Sequence, residues 1–197
     1  ALNSPLLSTA YWPPVDWFAL WTRSGSVRIE ACESIQKQSY RNRCRILTSR
    51  GVQELIIPLN RQASKHIQEI KLSYQEDWQR VHWRAIEAAY SSTGFYHILR
   101  DDIHKIYNEW KPDTLWEWNM KTIQLCREWL QIADEPKFTA AFEKSDKLDF
   151  RQSLHPKKTH PLPPTAYTQL TFHSGKTDFV PHLSILDLLC NEGPAAY

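Results

Sequence analysis

Glycine is scarce, five in 197 residues, and it falls in none of the patterns that cradle nucleotides. The chain has no Gly-x-Gly-x-x-Gly turn, no Gly-x-x-x-x-Gly-Lys-Ser/Thr loop and no Gly-x-Ser-x-Gly elbow. A Rossmann dehydrogenase, a P-loop ATPase and an α/β-hydrolase are therefore unsupported, and no cofactor is expected. Cysteine is sparse too. Cys32, Cys44, Cys126 and Cys190 stand far apart with no Cys-x-x-Cys pair, which removes the thiolate zinc modules. A chain of this length needs no disulfide staple, so the four are read as reduced, mostly buried thiols. Neither sign of charge dominates. Lys plus Arg is 24 and Asp plus Glu is 22, without the basic excess of a general nucleic-acid binder. No apolar run approaches the ~18 residues of a membrane span. Residues 1–10 lack a basic segment followed by a long apolar one, so no signal peptide is visible and a cytoplasmic protein is expected.

What the chain has in abundance is tryptophan, nine residues, within an otherwise ordinary balance of 42% hydrophobic and 23% charged positions. One domain of this length buries roughly 70% of its unfolded surface, enough for a sizeable core. The first half reads mainly as strands. Residues 6–10 are a short apolar run ended by Pro13-Pro14, and Asp16 opens a short aromatic helix over residues 17–21. Val27, Ile29 and Ala31 alternate with Arg28 and Glu30, the period of a half-buried strand. Residues 44–47 and 53–59 flank Gly51 as a hairpin, and residues 67–72 repeat the alternation in part.

The middle reads as three helices. Trp78, Val81, His82, Ala85, Ile86 and Ala89 share one helical face, with Asp77 as N-cap. Phe95, Ile98, Leu99, Ile103, Ile106 and Trp110 make a second stripe, stopped by Pro112. Thr114 and Glu117 have the spacing of a capping box for a third, with Leu115, Trp118, Thr122, Leu125, Trp129 and Ile132 as its stripe. Residues 144–164 are polar and proline-rich and carry the basic pair Lys157-Lys158, the composition of an extended loop or lid. Residues 167–172 suggest a strand, and residues 184–189 a capped helix after Pro181.

The densest polar run is residues 36–45, with Lys37, Arg41, Arg43 and Arg45 in nine residues between two strands. Guanidinium forks match phosphate or carboxylate, and Gln38 and Asn42 suit sugar hydroxyls or amides. The run is either an anion- or sugar-nucleotide-binding loop or a solvated basic strand edge. His82, on an apolar stripe, is either a satisfied core residue or a base in an aromatic wall. Cys44 among three arginines would be activated if it faced them, but the alternation turns it toward the core. His155, His160 and His173 show no helical metal-ligand spacing, so no metal site is expected.

Four stretches together resemble the WbqC-like family of bacterial O-antigen and surface-polysaccharide loci. They are Tyr11-Trp12-Pro13-Pro14; Lys37-Gln38-Ser39-Tyr40-Arg41-Asn42-Arg43 followed by Ile46, Gly51, Leu55 and Pro58; Trp78, His82 and Ala89-Tyr90; and Leu183-Ser184-Ile185-Leu186-Asp187-Leu188-Leu189 with Asn191-Glu192-Gly193-Pro194. Where many members carry His-Gln-Pro near the first strand, this chain has Leu7-Ser8-Thr9-Ala10-Tyr11. The resemblance implies transfer of an acyl or aminoacyl group, such as glycine, onto an amino sugar. The donor arrives already activated, since no ATP-binding loop is present. On this reading Lys37, Arg41 and Arg43 hold phosphate or carboxylate, Asn42 orients the substrate with Gln38, and His82 is the base. Tyr11, Tyr90, Tyr167 and Asp187 line the cleft. The alternative is a non-catalytic module that binds a sugar-nucleotide or an anionic partner. The partners expected are small molecules, not nucleic acid, and the oligomeric state is left open. The fold expected is α+β: a single domain in which a mostly antiparallel N-terminal sheet of four or five strands packs against three central helices and the C-terminal segment closes the core.

Overall fold

The structure, a computed structural model, describes residues 4–60, 64–170 and 178–194. Strand β1, Leu6–Ser8, ends before Pro13-Pro14, and Pro14 is the N-cap of helix α1, Val15–Ser24. Gly25 terminates that helix in the left-handed region at φ 68°, where a β-carbon would be strained. The chain returns as β2, Arg28–Glu30, parallel to β1 with Leu7 opposite Ile29. The connection between the two strands is a helix and not a tight turn, which makes the pairing parallel.

Strands β3, Arg43–Thr48, and β4, Gly51–Ile56, form the expected hairpin, with Gly51 at φ 106°. Strands β5, Leu59–Asn60, and β6, Lys71–Leu72, pair antiparallel. Helices α2, Trp78–Tyr90, α3, Tyr96–Glu109, and α4, Leu115–Trp129, follow the three stripes. The capping box of α4 is formed: Thr114 Oγ1 accepts from the Glu117 amide and the Glu117 carboxylate accepts from the Thr114 amide. Two stripe positions differ, since Val81 and Ile98 are exposed and Gln79 and Trp83 are buried. Strand β7, Lys137–Phe138, then adds to β2 in parallel. Helix α5, Ile185–Glu192, is capped by Ser184, whose hydroxyl accepts from the Leu186 amide.

The fold is α+β, but the N-terminal sheet is not the antiparallel sheet of four or five strands. Three small sheets stand in its place: β1-β2-β7, the β3-β4 hairpin and β5-β6. The alternation around residue 29 gave no warning, because Arg28 and Glu30 are as buried as Ile29. Their charges are met from far along the chain. Arg151 Nη1 donates to Glu30 at 2.6 Å, and Arg28 pairs with Glu143 and with Asp146.

Trp12, Trp17, Trp21, Trp118, Tyr11 and Tyr90 are the largest fully buried side chains. Helix α5 packs against α1, α3 and β3 with Ile185, Leu186, Leu188 and Leu189 buried. Residues 144–164 form no helix or strand. The Leu6 amide nevertheless donates to Leu148 and the Phe150 amide to Leu6, and Arg151 and Leu154 are buried. Among the described residues no helix is long and apolar enough to cross a membrane.

Candidate functional site

Side chains at the carboxyl ends of parallel strands converge beyond the sheet, which is where open α/β sheets bind ligands. Here those ends are Ser8 of β1 and Glu30 of β2. A groove of about 600 Å³ lies just past them, lined by Cys32, Glu33, Gln36, Asp149, Arg151 and Gln152 among others. Its charged walls are braced from within. Arg41 donates to Glu33 through Nε at 2.9 Å and Nη2 at 2.6 Å, and its Nη2 also reaches Ser8 Oγ at 2.6 Å. Arg151 Nε and Nη2 hold Asp149 at 3.0 and 2.8 Å. Burial alone would raise the Asp149 carboxyl, but the Arg151 hydrogen bonds and charge keep it below the usual carboxylate range. Groove charges are thus mutually compensated, while amides and carboxylate edges remain for hydroxyl or ammonium groups.

A basic rim borders this groove, drawn from two distant segments. Lys37 and Gln38 follow Gln36 of the groove wall, and Lys157 Nζ donates to Gln38 Oε1 at 2.5 Å. Lys158 Nζ donates to the carbonyl of Gln152, another groove residue, at 2.8 Å. Gln38 takes a left-handed backbone, φ 56°. Between the cations sits His155, whose Nδ1 accepts from the Lys157 amide at 3.1 Å. Burial pushes its pKa below the ordinary imidazole value, and the charges of Lys158, Arg41, Arg43 and Lys157 push it in the same direction. The basic run and the basic pair noted in the sequence therefore share one positive field.

The other residues singled out from sequence fall in three places. Arg41 and Asn42 are buried, Asn42 donating to the Ile57 carbonyl at 2.9 Å, and Arg43 pairs with Glu54 on the adjacent strand. Cys44 faces the core, and burial raises its thiol well above the ordinary value. The four cysteines are free, and Cys32 is the one at the groove.

His82 is buried against Trp78 and is not among the residues lining the groove. Trp12 Nε1 donates to Tyr107 at 2.8 Å, Tyr107 is bonded to Tyr11, and Tyr11 is 2.9 Å from His82 Nδ1. With the other ring nitrogen of His82 donating to the Ile56 backbone, Nδ1 of the neutral ring accepts from Tyr11, so Tyr107 donates to Tyr11 and the protons run one way from Trp12 to His82. The far side of the imidazole bonds the Ile56 backbone, and burial lowers the His82 pKa to about 4.

Tyr90, Tyr167 and Asp187 do come together, and none of them lines the groove. Asp187 accepts from Tyr167 at 2.6 Å and from Gln169 at 2.8 Å, and Tyr90 also bonds it. Burial raises the Asp187 carboxyl despite those donors. The strand suggested for residues 167–172 is not formed over 167–170, and residues 171 and 172, like His173, lie outside the described residues.

Sequence reasoning missed one cluster. Asp16, in the first turn of α1, is buried and faces His160 and His182. His160 Nδ1 is 3.1 Å from its carboxylate and His182 Nδ1 is 3.0 Å. The two rings stack with centroids 3.9 Å apart, and His160 Nε2 is 3.0 Å from the Tyr40 hydroxyl, which Arg45 also bonds. Separations of 144 and 166 residues leave no local spacing to detect. The one visible signal was an aspartate at the start of an otherwise apolar helix.

Comparison with known proteins agrees with the motifs. The sequence model of the WbqC-like protein family matches residues 9–159, which include β2 to β7, the rim residue His155 and both basic lysines. An uncharacterized protein of Mycobacterium tuberculosis is 30% identical over 112 residues, 56% of this chain and 48% of that protein. The chain thus spans about half the length of that curated relative. No solved structure matches the chain.

Proposed function

The chain belongs to the WbqC-like protein family, and from that premise we propose that it transfers an acyl or aminoacyl group, glycine-like in size, onto an amino sugar carried by a nucleotide in surface-polysaccharide assembly. The observation that supports this reading most directly is a polar groove edged by a basic rim. A sugar-nucleotide has the same two-part chemistry. Its phosphates suit Lys37, Lys157 and Lys158, with Arg43 adding to the field. Its sugar suits the amides of Gln36 and Gln152 and the carboxylate edges of Glu33 and Asp149. Arg41 serves as the scaffold that fixes the Glu33 wall, and Asn42 holds the Ile57 carbonyl.

The transfer forms a bond from the sugar nitrogen to the donor's carbonyl carbon and breaks the bond from that carbon to the donor's leaving group. One proton leaves the nitrogen. His155, on the rim beside the groove, is the base in this reading: burial and four cations favour its neutral imidazole, and its Nδ1 lone pair takes the proton once it turns off the Lys157 amide. His82 has both ring nitrogens engaged inside the core, so the proposal gives it an anchoring role. A non-catalytic binding module would use the same groove and rim, and the compensated groove charges favour that second reading.

Both readings meet in one assay. A UDP-amino sugar is incubated with a glycyl or acetyl thioester, and acylated sugar is followed by mass spectrometry. The enzyme reading expects product, with kcat falling at least ~100-fold in His155→Gln while sugar-nucleotide affinity persists. Binding without product supports the module. Turnover unchanged in His155→Gln removes the base role, and neither binding nor product overturns the proposal.

A further inference from the structure

We propose that Asp16, His160 and His182 bind one divalent transition-metal ion of the zinc class, at a site separate from the groove. Their ligand atoms, one carboxylate oxygen and two imidazole nitrogens, lie within 4.8 Å of one another. Ligands about 2.1 Å from a tetrahedral ion are about 3.4 Å apart. The spacings of 3.0 and 3.1 Å from each Nδ1 to Asp16 Oδ2 are hydrogen-bond contacts, and an entering ion need widen them by only a few tenths of an ångström as it displaces the bridging protons. Two imidazoles and one carboxylate select a zinc- or iron-type ion over magnesium or calcium, which take oxygen ligands. Three protein ligands leave further positions for water.

The surroundings fit a ligand set. A metal-bound histidine normally engages its other ring nitrogen, and Tyr40 meets His160 Nε2 at 3.0 Å. His182 adopts a left-handed backbone, φ 60°, a conformation that costs a non-glycine residue energy and that turns its ring onto Asp16. An ion there would fasten residues 160 and 182 to α1. Two of its three ligands, His160 and His182, lie beyond the stretch matched by the family model.

Zinc is the suitable probe because it binds nitrogen and oxygen sites more tightly than manganese or iron(II). The full chain is stripped with a chelator, dialysed, and titrated with Zn²⁺ by calorimetry, with metal content read by mass spectrometry. One equivalent is expected at micromolar affinity or tighter, with a raised melting temperature. His182→Gln, at the partly exposed ligand, should weaken binding at least tenfold, and Tyr40→Phe about tenfold. Cys32→Ser should leave it unchanged. No stoichiometric binding by the wild type, equal binding by His182→Gln, or loss confined to Cys32→Ser would each overturn the site. None of these outcomes depends on the groove.

Discussion

At His82 one tautomer is fixed by two hydrogen bonds of opposite sense, accepted from Tyr11 and donated to the Ile56 backbone. The consequence is a pH dependence of stability. Unfolded, the imidazole takes a proton below about 6.5, and folded, only below about 4. Between those values the unfolded state binds the extra proton, so stability falls as pH drops through the window, by up to about 3 kcal/mol. Denaturant titrations at pH 7, 5.5 and 4.5 should show this slope in the wild type and a flatter one in His82→Gln. That variant should also lose about 1–3 kcal/mol at pH 7, because it disturbs a buried chain of donors. Equal slopes would contradict the account. The sequence placed His82 on an apolar stripe, and the stripe did bury it. What the stripe does not contain is the partner, since Tyr11 is 71 residues away.

Among the elements, the helices were legible and the first sheet was not, for a physical reason. Helical stripes are local, and a capping box such as Thr114 with Glu117 spans three residues. Strands β1 and β2 are three residues each, and the opposite charges that let Arg28 and Glu30 be buried come from residues 143–151. Glu30 is wholly buried and accepts from Arg151, Thr139 and the Cys32 and Glu143 amides. Removing one partner of a buried pair leaves a charge in a low dielectric. Arg151→Ala should therefore cost about 3 kcal/mol in chemical denaturation. Replacing Glu30 and Arg151 together by Gln and Met should cost less than the sum of the single changes. Additive losses would mean that the pair does not act as a unit. Arg151 of that pair also lines the groove, so a residue that lets the β2 carboxylate be buried also helps to shape the candidate site.

For the whole molecule, composition and motif order were enough for an α+β member of the WbqC-like family, and the basic run was visible as a run. Its division of labour was not. Arg41 and Asn42 turn inward to brace Glu33 and the Ile57 carbonyl, while Lys37 and Gln38 are exposed and Gln38 meets Lys157 from 119 residues away. Alternation turned Cys44 of the run toward the core, but only the return of residues 144–164 across β1 brings Lys157 to Gln38. The central claim is that these two segments make one anion-holding rim on a polar groove. Calorimetric titration of a UDP-amino sugar tests it most directly, comparing the wild type with Lys37→Ala, Lys158→Ala and the double variant. The account predicts saturable binding to the wild type, weakened about tenfold or more by each lysine change, with the double loss differing from the sum because both cations serve one phosphate group. Binding that is indifferent to both lysines, or no binding to the wild type, would contradict it.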